Sequence, residues 1–123
     1  MGFQQVLQHT VEHVEGGIAC ILMGRDGLAI DAYHNPHHEV SFDSAHFGIE
    51  YTALFHQMMT VARQANFGDP FEFLIRSEHL IAIFRFLTED YFILLTLSPE
   101  GNTGKGRYLL RVASHHLRSE MLS

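Results

Sequence analysis

Three almost continuously apolar runs constrain the fold of this chain more than any other feature. They cover residues 18–23, 80–87 and 91–97, and each has the length of a strand bounded by turn-forming residues. A strand that is apolar on both sides must be covered on both faces of its sheet. We therefore expect helices on both faces, because a bare face would expose these side chains to water.

Two further strand-like runs, residues 28–33 and 71–76, mix apolar and charged side chains. Their charged members are Asp31, Glu72 and Arg76. Such strands suit the edges of a sheet, where one side reaches water. The Gly-bracketed turn 24–27 predicts a hairpin, and the last three runs predict a meander. If each short connection joins neighbours, only the antiparallel order 2-1-5-4-3 places both mixed strands at the edges.

Three segments have helical spacing. The first covers residues 3–14, the long one runs to about Asn66, and the third follows a predicted linker at residues 98–106. Candidate N-caps for the long helix are Ser41, Asp43 and Ser44. One stripe of the long helix is expected to face the core. Its members are Phe47, Tyr51, Leu54, Phe55, Met58, Val61, Ala62 and Ala65. Three helices must then cover two sheet faces, which predicts an α/β/α sandwich.

Length and charge narrow the class of protein. The 123 residues suit one domain, residues 1–123, and the 8 Lys and Arg against 14 Asp and Glu give a net charge of −6 without a basic run. A nucleic-acid partner is therefore not expected. Cys20 is the single cysteine and lies in an apolar run, so no internal disulfide can form. Neither an apolar run of about 18 residues nor a signal-peptide pattern is found, which predicts a cytoplasmic protein without membrane insertion.

Three local motifs suggest chemistry that the rest of the sequence does not support. His9, Glu12 and His13 form HxxEH, a zinc-protease pattern, but a catalytic zinc needs a third protein ligand. A second cluster lies in a predicted loop and could hold a metal ion, but a loop with Pro36 imposes no coordination geometry. Its members are His34, His37, His38 and Glu39. The Gly101–Gly106 stretch lacks the Ser or Thr of a phosphate-binding loop and is better interpreted as a helix start. We predict no cofactor, no catalytic residue and no enzymatic activity.

The order of elements, with residues 18–30 around Gly24-Arg25-Asp26-Gly27 and residues 102–111 opening the last helix, resembles one known family. This is the roadblock family of dynein light chains and bacterial GTPase regulators, in particular its MglB type. The resemblance implies a profilin-like sandwich. It also implies a homodimer whose sheets join at the third strand, whose long helices pack together, and which binds a Ras-like small GTPase.

The edge strand 71–76 would leave an aromatic edge open in a monomer. Antiparallel pairing with a second copy about Leu74 would set Glu72 opposite the partner's Arg76. We predict a dimer interface from this strand and the long helix. Its residues are Thr52, Phe55, Met59, Glu72, Leu74 and Arg76.

The remaining side of the long helix carries small and weakly polar residues, which is typical of a contact surface. We predict that it binds the GTPase. Its residues are Ile49, Ala53, His56, Gln57, Thr60 and Arg63. No arginine has a spacing that marks it as a catalytic finger, so any stimulation of hydrolysis would act through the GTPase's own residues. The alternative is a non-enzymatic scaffold or sensory module that binds another protein or a small ligand.

Overall fold

The chain, seen in a computed structural model, forms a five-stranded antiparallel sheet with helices on both faces. The structure describes residues 2–38 and 44–122, with side chains described for residues 2–38 and 50–121. The strands are β1 (Gly17–Gly24), β2 (Ala29–His34), β3 (Glu72–Arg76), β4 (Ile81–Phe86) and β5 (Tyr91–Leu97). The helices are α1 (Phe3–Glu12), α2 (Ser44–Gln64) and α3 (Thr103–Leu122).

The strand order is β2-β1-β5-β4-β3, which confirms the predicted order. Every residue of β1 is buried, and β4 and β5 are buried at almost every position. The edge strands β2 and β3 are half-buried or exposed throughout. The apolar runs thus occupy the centre because only central strands are covered on both faces.

Each face of the sheet has its own core. On one face α1 and α3 pack against aliphatic side chains, including Leu22, Ile83 and Leu95. On the other face α2 packs against aromatic rings, and Phe55 lies at their centre with ring centroids 4.7 Å from Phe84 and 5.3 Å from Phe73. Cys20 is fully buried in the first core, as predicted, and burial raises the pKa of its thiol. A thiol in that environment is inert as a nucleophile.

Helix α3 begins at Thr103, so the predicted linker 98–106 was too long. The side chain of Asn102 accepts a hydrogen bond from the backbone N–H of Lys105 at 3.0 Å, which caps the helix. Gly106 lies inside the first turns of the helix. Glycine suits this position because a Cβ there would come within 3.1 Å of the Leu97 side chain. This glycine permits close packing of helix on sheet and does not break the helix, which composition alone could not distinguish.

The ends of α2 agree in part with the sequence. Two predicted caps, Ser41 and Asp43, lie outside the described residues, and the helix begins at Ser44. At the other end Asn66 has a φ of 63°, and the Phe67 N–H bonds the Ala62 carbonyl at 2.9 Å. This left-handed residue ends the helix and satisfies one of its last carbonyls.

Candidate protein-interaction surfaces

Helix α2 is turned about its axis relative to the predicted core stripe. The side chains that it buries or half-buries are Tyr51, Thr52, Phe55, Met58, Met59 and Ala62. The predicted stripe was wrong for Leu54, which is 40% exposed, and for Val61, which is 61% exposed. It was also wrong for Ala65, which is exposed. The core takes the face centred on Phe55, because the sheet surrounds that ring with four phenyl rings.

Three exposed apolar residues and the half-buried Met58, which also packs against the core, form a second stripe, which we name the α2 seam. It consists of Leu54, Met58, Val61 and Ala65. Their spacing of four, three and four is that of the contact positions between two packed helices. Leu54, Val61 and Ala65 are exposed and Met58 is half-buried, and none of the four carries a charge. The seam is therefore an apolar surface that no other described residue covers fully.

The seam lies on the side of α2 that faces the β3 edge. On the opposite side, Thr52 and Met59 line a small cavity with Arg25 and Phe92. Ala62 instead lines a groove that reaches Leu74 in β3. At about 100° per residue, the seam is displaced from Phe55 in the same direction as Ala62. Ala62 thus connects the side of α2 that carries the seam with the β3 edge.

The structure corrects the predicted contribution of α2 to a dimer interface. Phe55 is 3% and Met59 6% exposed, so both belong to the core of the protomer and have almost no surface for a partner. Thr52 is half-buried and faces the hairpin side, away from β3. The seam provides the apolar surface that was expected from these three residues.

Strand β3 is the terminal strand of the sheet, so one of its backbone edges has no strand partner within the described residues. The side chains of Leu74 and Arg76 are exposed. Glu72 is already engaged, because Arg85 Nη1 lies 3.2 Å from its Oε2 and Arg107 Nε lies 2.5 Å from its Oε1. A pair between Glu72 and the Arg76 of a second copy would therefore compete with two existing ion pairs, and it stays a prediction.

The predicted GTPase-binding face is exposed wherever its side chains are described. These residues are Ala53, His56, Gln57, Thr60 and Arg63. The side chain of Ile49 lies outside the described residues. Arg63 pairs with Asp69 at 2.6 Å, and this hydrogen bond and the positive charge hold the pKa of Asp69 below its usual value. The face is polar and weakly charged, and its role stays a prediction.

Arg25, in the hairpin turn, folds inward. Its guanidinium lies 5.3 Å from the centre of the Phe86 ring, and its Nε is buried without a hydrogen-bond partner in the described part of the chain. No sequence pattern indicated this, because a Gly-bracketed turn usually exposes its charged residues. A side chain held in this way is not presented to a partner as a catalytic finger.

Within the part of the chain that the structure describes, no further side chain joins either histidine motif to form a metal site. The rings of His9 and His13 stack with centroids 3.9 Å apart, and His13 Nδ1 hydrogen-bonds the His9 carbonyl at 2.9 Å. Glu39 of the second cluster lies outside the described residues, as does any contact that it makes. Within residues 2–38 and 44–122, no group of three His, Cys, Asp or Glu side chains could hold a metal ion. No helix over these same residues is long and apolar enough to cross a membrane.

Comparison with solved structures finds the same fold in three proteins. MglC from Myxococcus xanthus is 35% identical, with a TM-score of 0.69, and the match covers 98% of this chain and 99% of that chain. The Roadblock/LC7 domain from Streptomyces avermitilis has a TM-score of 0.83 at 12% identity, with 98% of both chains covered. The gliding protein MglB from Thermus thermophilus has a TM-score of 0.86 at 15% identity, covering 94% of this chain and 84% of that chain. No protein-family model matches the sequence, and neither does any curated protein.

Proposed function

Because the chain belongs to the roadblock family, as 35% identity to MglC over almost its whole length shows, we propose that it is a homodimeric adaptor that binds a Ras-like small GTPase and regulates it. The chain acts by binding, and none of its residues breaks or forms a bond. Any effect on GTP hydrolysis comes from ordering the GTPase's own switch segments.

The observation that carries this proposal is the α2 seam beside the open β3 edge. Leu54 and Val61 are large apolar side chains in water, and burying such a side chain stabilises an assembly by about 1.5 to 3 kcal/mol. In a two-fold symmetric dimer both copies contribute the same surface, so each seam residue is buried once in each copy. The open edge of β3 adds backbone hydrogen bonds to the same contact.

The dimer leaves the proposed GTPase surface accessible. At about 100° per residue, Ala53 and Thr60 point away from both the core and the seam. A GTPase seated on this face would contact α2 from solvent, and the small Ala53 side chain permits a close approach. The two proposed surfaces are therefore separable by mutation.

A direct experiment measures binding to purified Ras-like GTPases, each loaded with GDP or with a non-hydrolysable GTP analogue. We expect saturable binding of one GTPase in a single nucleotide state, and a chain mass by light scattering that corresponds to two copies. Absence of binding in both nucleotide states, for a chain that is dimeric, would refute the regulatory role and leave only the assembly.

A further inference from the structure

Arginine side chains cluster around two cavities of this acidic protein, and one of these cavities holds a single carboxylate. The net charge is −6, yet three of the eight Lys and Arg residues line a groove of about 500 Å³ between the start of α3 and the β3–β4 edge. We name it the arginine groove. Its lining residues are Phe71, Glu72, Arg85, Arg107, Tyr108 and Arg111. One carboxylate faces three guanidinium groups, so the groove has a surplus of positive charge.

Aromatic rings hold two of these guanidinium groups in place. Arg85 lies over Phe71 with 5.3 Å to the ring centre, and Arg111 lies over Tyr108 with 5.6 Å. Both rings are themselves largely exposed at the rim of the groove. Stacking restrains a guanidinium while its N–H donors stay free at the edge of the plane. This arrangement lowers the entropy cost of binding a further anionic group.

The groove has an internal anion, but it does not satisfy all of the cations. The Glu72 carboxylate accepts hydrogen bonds from Arg85 at 3.2 Å and from Arg107 at 2.5 Å. Arg111 has no ion pair within the described part of the chain. Because arginine carries five donors and both Arg107 and Arg111 are exposed, donors remain for a ligand.

The arginines continue as a line along α3. At about 100° per residue, Arg107, Arg111 and Arg118 fall within about 40° of one another, over a helix length of about 16 Å. Arg118 donates from Nε to the Leu87 carbonyl at 2.8 Å, which fixes it at the far end. There the next cavity contains Arg25 and Arg63 as well as Asp69 and Glu89, so two carboxylates balance the positive charge beyond Arg118. An extended peptide of about five residues matches this length.

We propose that the arginine groove binds an extended acidic segment of a partner protein. Arginine suits carboxylates because its planar donors bind both oxygens at once, and aromatic residues with arginine are typical of protein interfaces. A lipid surface fits less well, since a flat membrane cannot enter a concave groove. The groove lies on the α1 and α3 face of the sheet, so this inference does not rest on the proposed GTPase surface of α2.

Fluorescence anisotropy with a labelled hexaglutamate peptide tests the proposal on the full chain, with hexaglutamine as the neutral probe. We expect saturable binding of hexaglutamate alone, weakened by salt because the contacts are ionic. Arg111→Gln should lower the affinity at least tenfold. Lys105→Gln removes the same charge from the opposite side of α3 and should change the affinity less than twofold. Glu72→Gln should raise the affinity severalfold, because it releases two arginines.

Three results would overturn the proposal. Equal weakening by Arg111→Gln and Lys105→Gln would mean that only net charge matters. Binding of phosphatidylserine vesicles but not of hexaglutamate would identify a lipid surface. Displacement of the peptide by inorganic phosphate, but not by chloride at the same ionic strength, would identify a phosphate-bearing ligand.

Discussion

Two helices, α1 and α3, cover one face of the sheet, whereas α2 alone covers the other. The two-helix face buries Leu7, Leu110 and Leu117 almost completely, although α3 leaves Val112 44% exposed. The single helix buries Phe55 and Met59 but leaves Leu54 and Val61 in water. A single helix can bury only part of a wide apolar arc against a sheet.

The two faces therefore differ in the kind of surface that they present to a partner. The face under α1 and α3 offers charge, in the arginine groove, and the α2 face offers unpartnered apolar surface. Apolar surface of this kind favours association with a flat, self-complementary partner. The proposed homodimer and the proposed peptide groove thus follow from opposite faces of one sheet.

Truncating the core of the α2 face should have the largest effect. Phe55→Ala removes a ring surrounded by four others, and we expect a loss of about 3 to 5 kcal/mol in the free energy of unfolding. Gln57→Ala, on the exposed side of the same helix, should change it by less than about 0.5 kcal/mol. Urea denaturation measures both. A small loss for Phe55→Ala would mean that α2 does not close this face.

Charging the seam should dissociate the dimer without unfolding the chain. Val61→Glu removes an apolar contact from each copy and introduces two like charges, and we expect the dimer Kd to rise at least about 100-fold, or about 2.7 kcal/mol. Thr60→Glu adds the same charge on the side of α2 away from the seam and should leave Kd unchanged. Analytical ultracentrifugation separates the two. Similar Kd values for both variants would place the interface elsewhere.

Bulk at the centre of the polar side of α2 should block the GTPase alone. Ala53→Arg places a long charged side chain where close approach is needed, and we expect at least tenfold weaker GTPase binding. The melting temperature and the dimer Kd should stay as they are, because Ala53 is exposed and arginine is a good helix former. Gln8→Arg on α1 is the matched control. Normal GTPase binding by Ala53→Arg would show that the GTPase does not bind to this side of α2.

Removing the Arg63–Asp69 pair should have the smallest effect. Since Arg63 lowers the pKa of Asp69 in the folded chain, the pair stabilises the fold above the ordinary carboxyl pKa. That contribution is lost as the pH falls through the lowered folded pKa. Asp69→Asn should therefore show a flatter loss of stability in acid below about pH 4 and parallel behaviour between pH 5 and 8. Parallel curves through the acid range would show that the pair contributes nothing.

The strand order could be predicted because a strand that is buried on both faces is apolar at almost every position. In the sequence β1, β4 and β5 are apolar runs of this kind. The rotation of α2 could not be predicted, because its apolar residues span a wider arc than one core needs. Only the sheet decides that Phe55 points inward and Val61 outward. The spacing of Leu54, Met58, Val61 and Ala65 was a usable signal for a second apolar contact.

The arginine groove was also beyond prediction from sequence. Glu72 meets Arg85 across two strands and Arg107 from α3, and such contacts depend on register and helix placement. The same long-range packing explains why Gly106 sits inside α3. Local sequence patterns predict features that depend on residues close together in the chain. The arginine groove and the position of Gly106 depend on residues that are far apart in the chain and close together in space.

Cross-linking at the seam tests most directly whether α2 pairs with α2 of a second copy. Val61→Cys and Thr60→Cys each add one exposed thiol, while the native Cys20 is buried and does not react. With a short bis-maleimide reagent at micromolar concentration, we expect Val61→Cys to give covalent dimers rapidly and Thr60→Cys to stay monomeric on denaturing gels. Cross-linking at Thr60 but not at Val61, or at neither position, would contradict a seam-mediated homodimer.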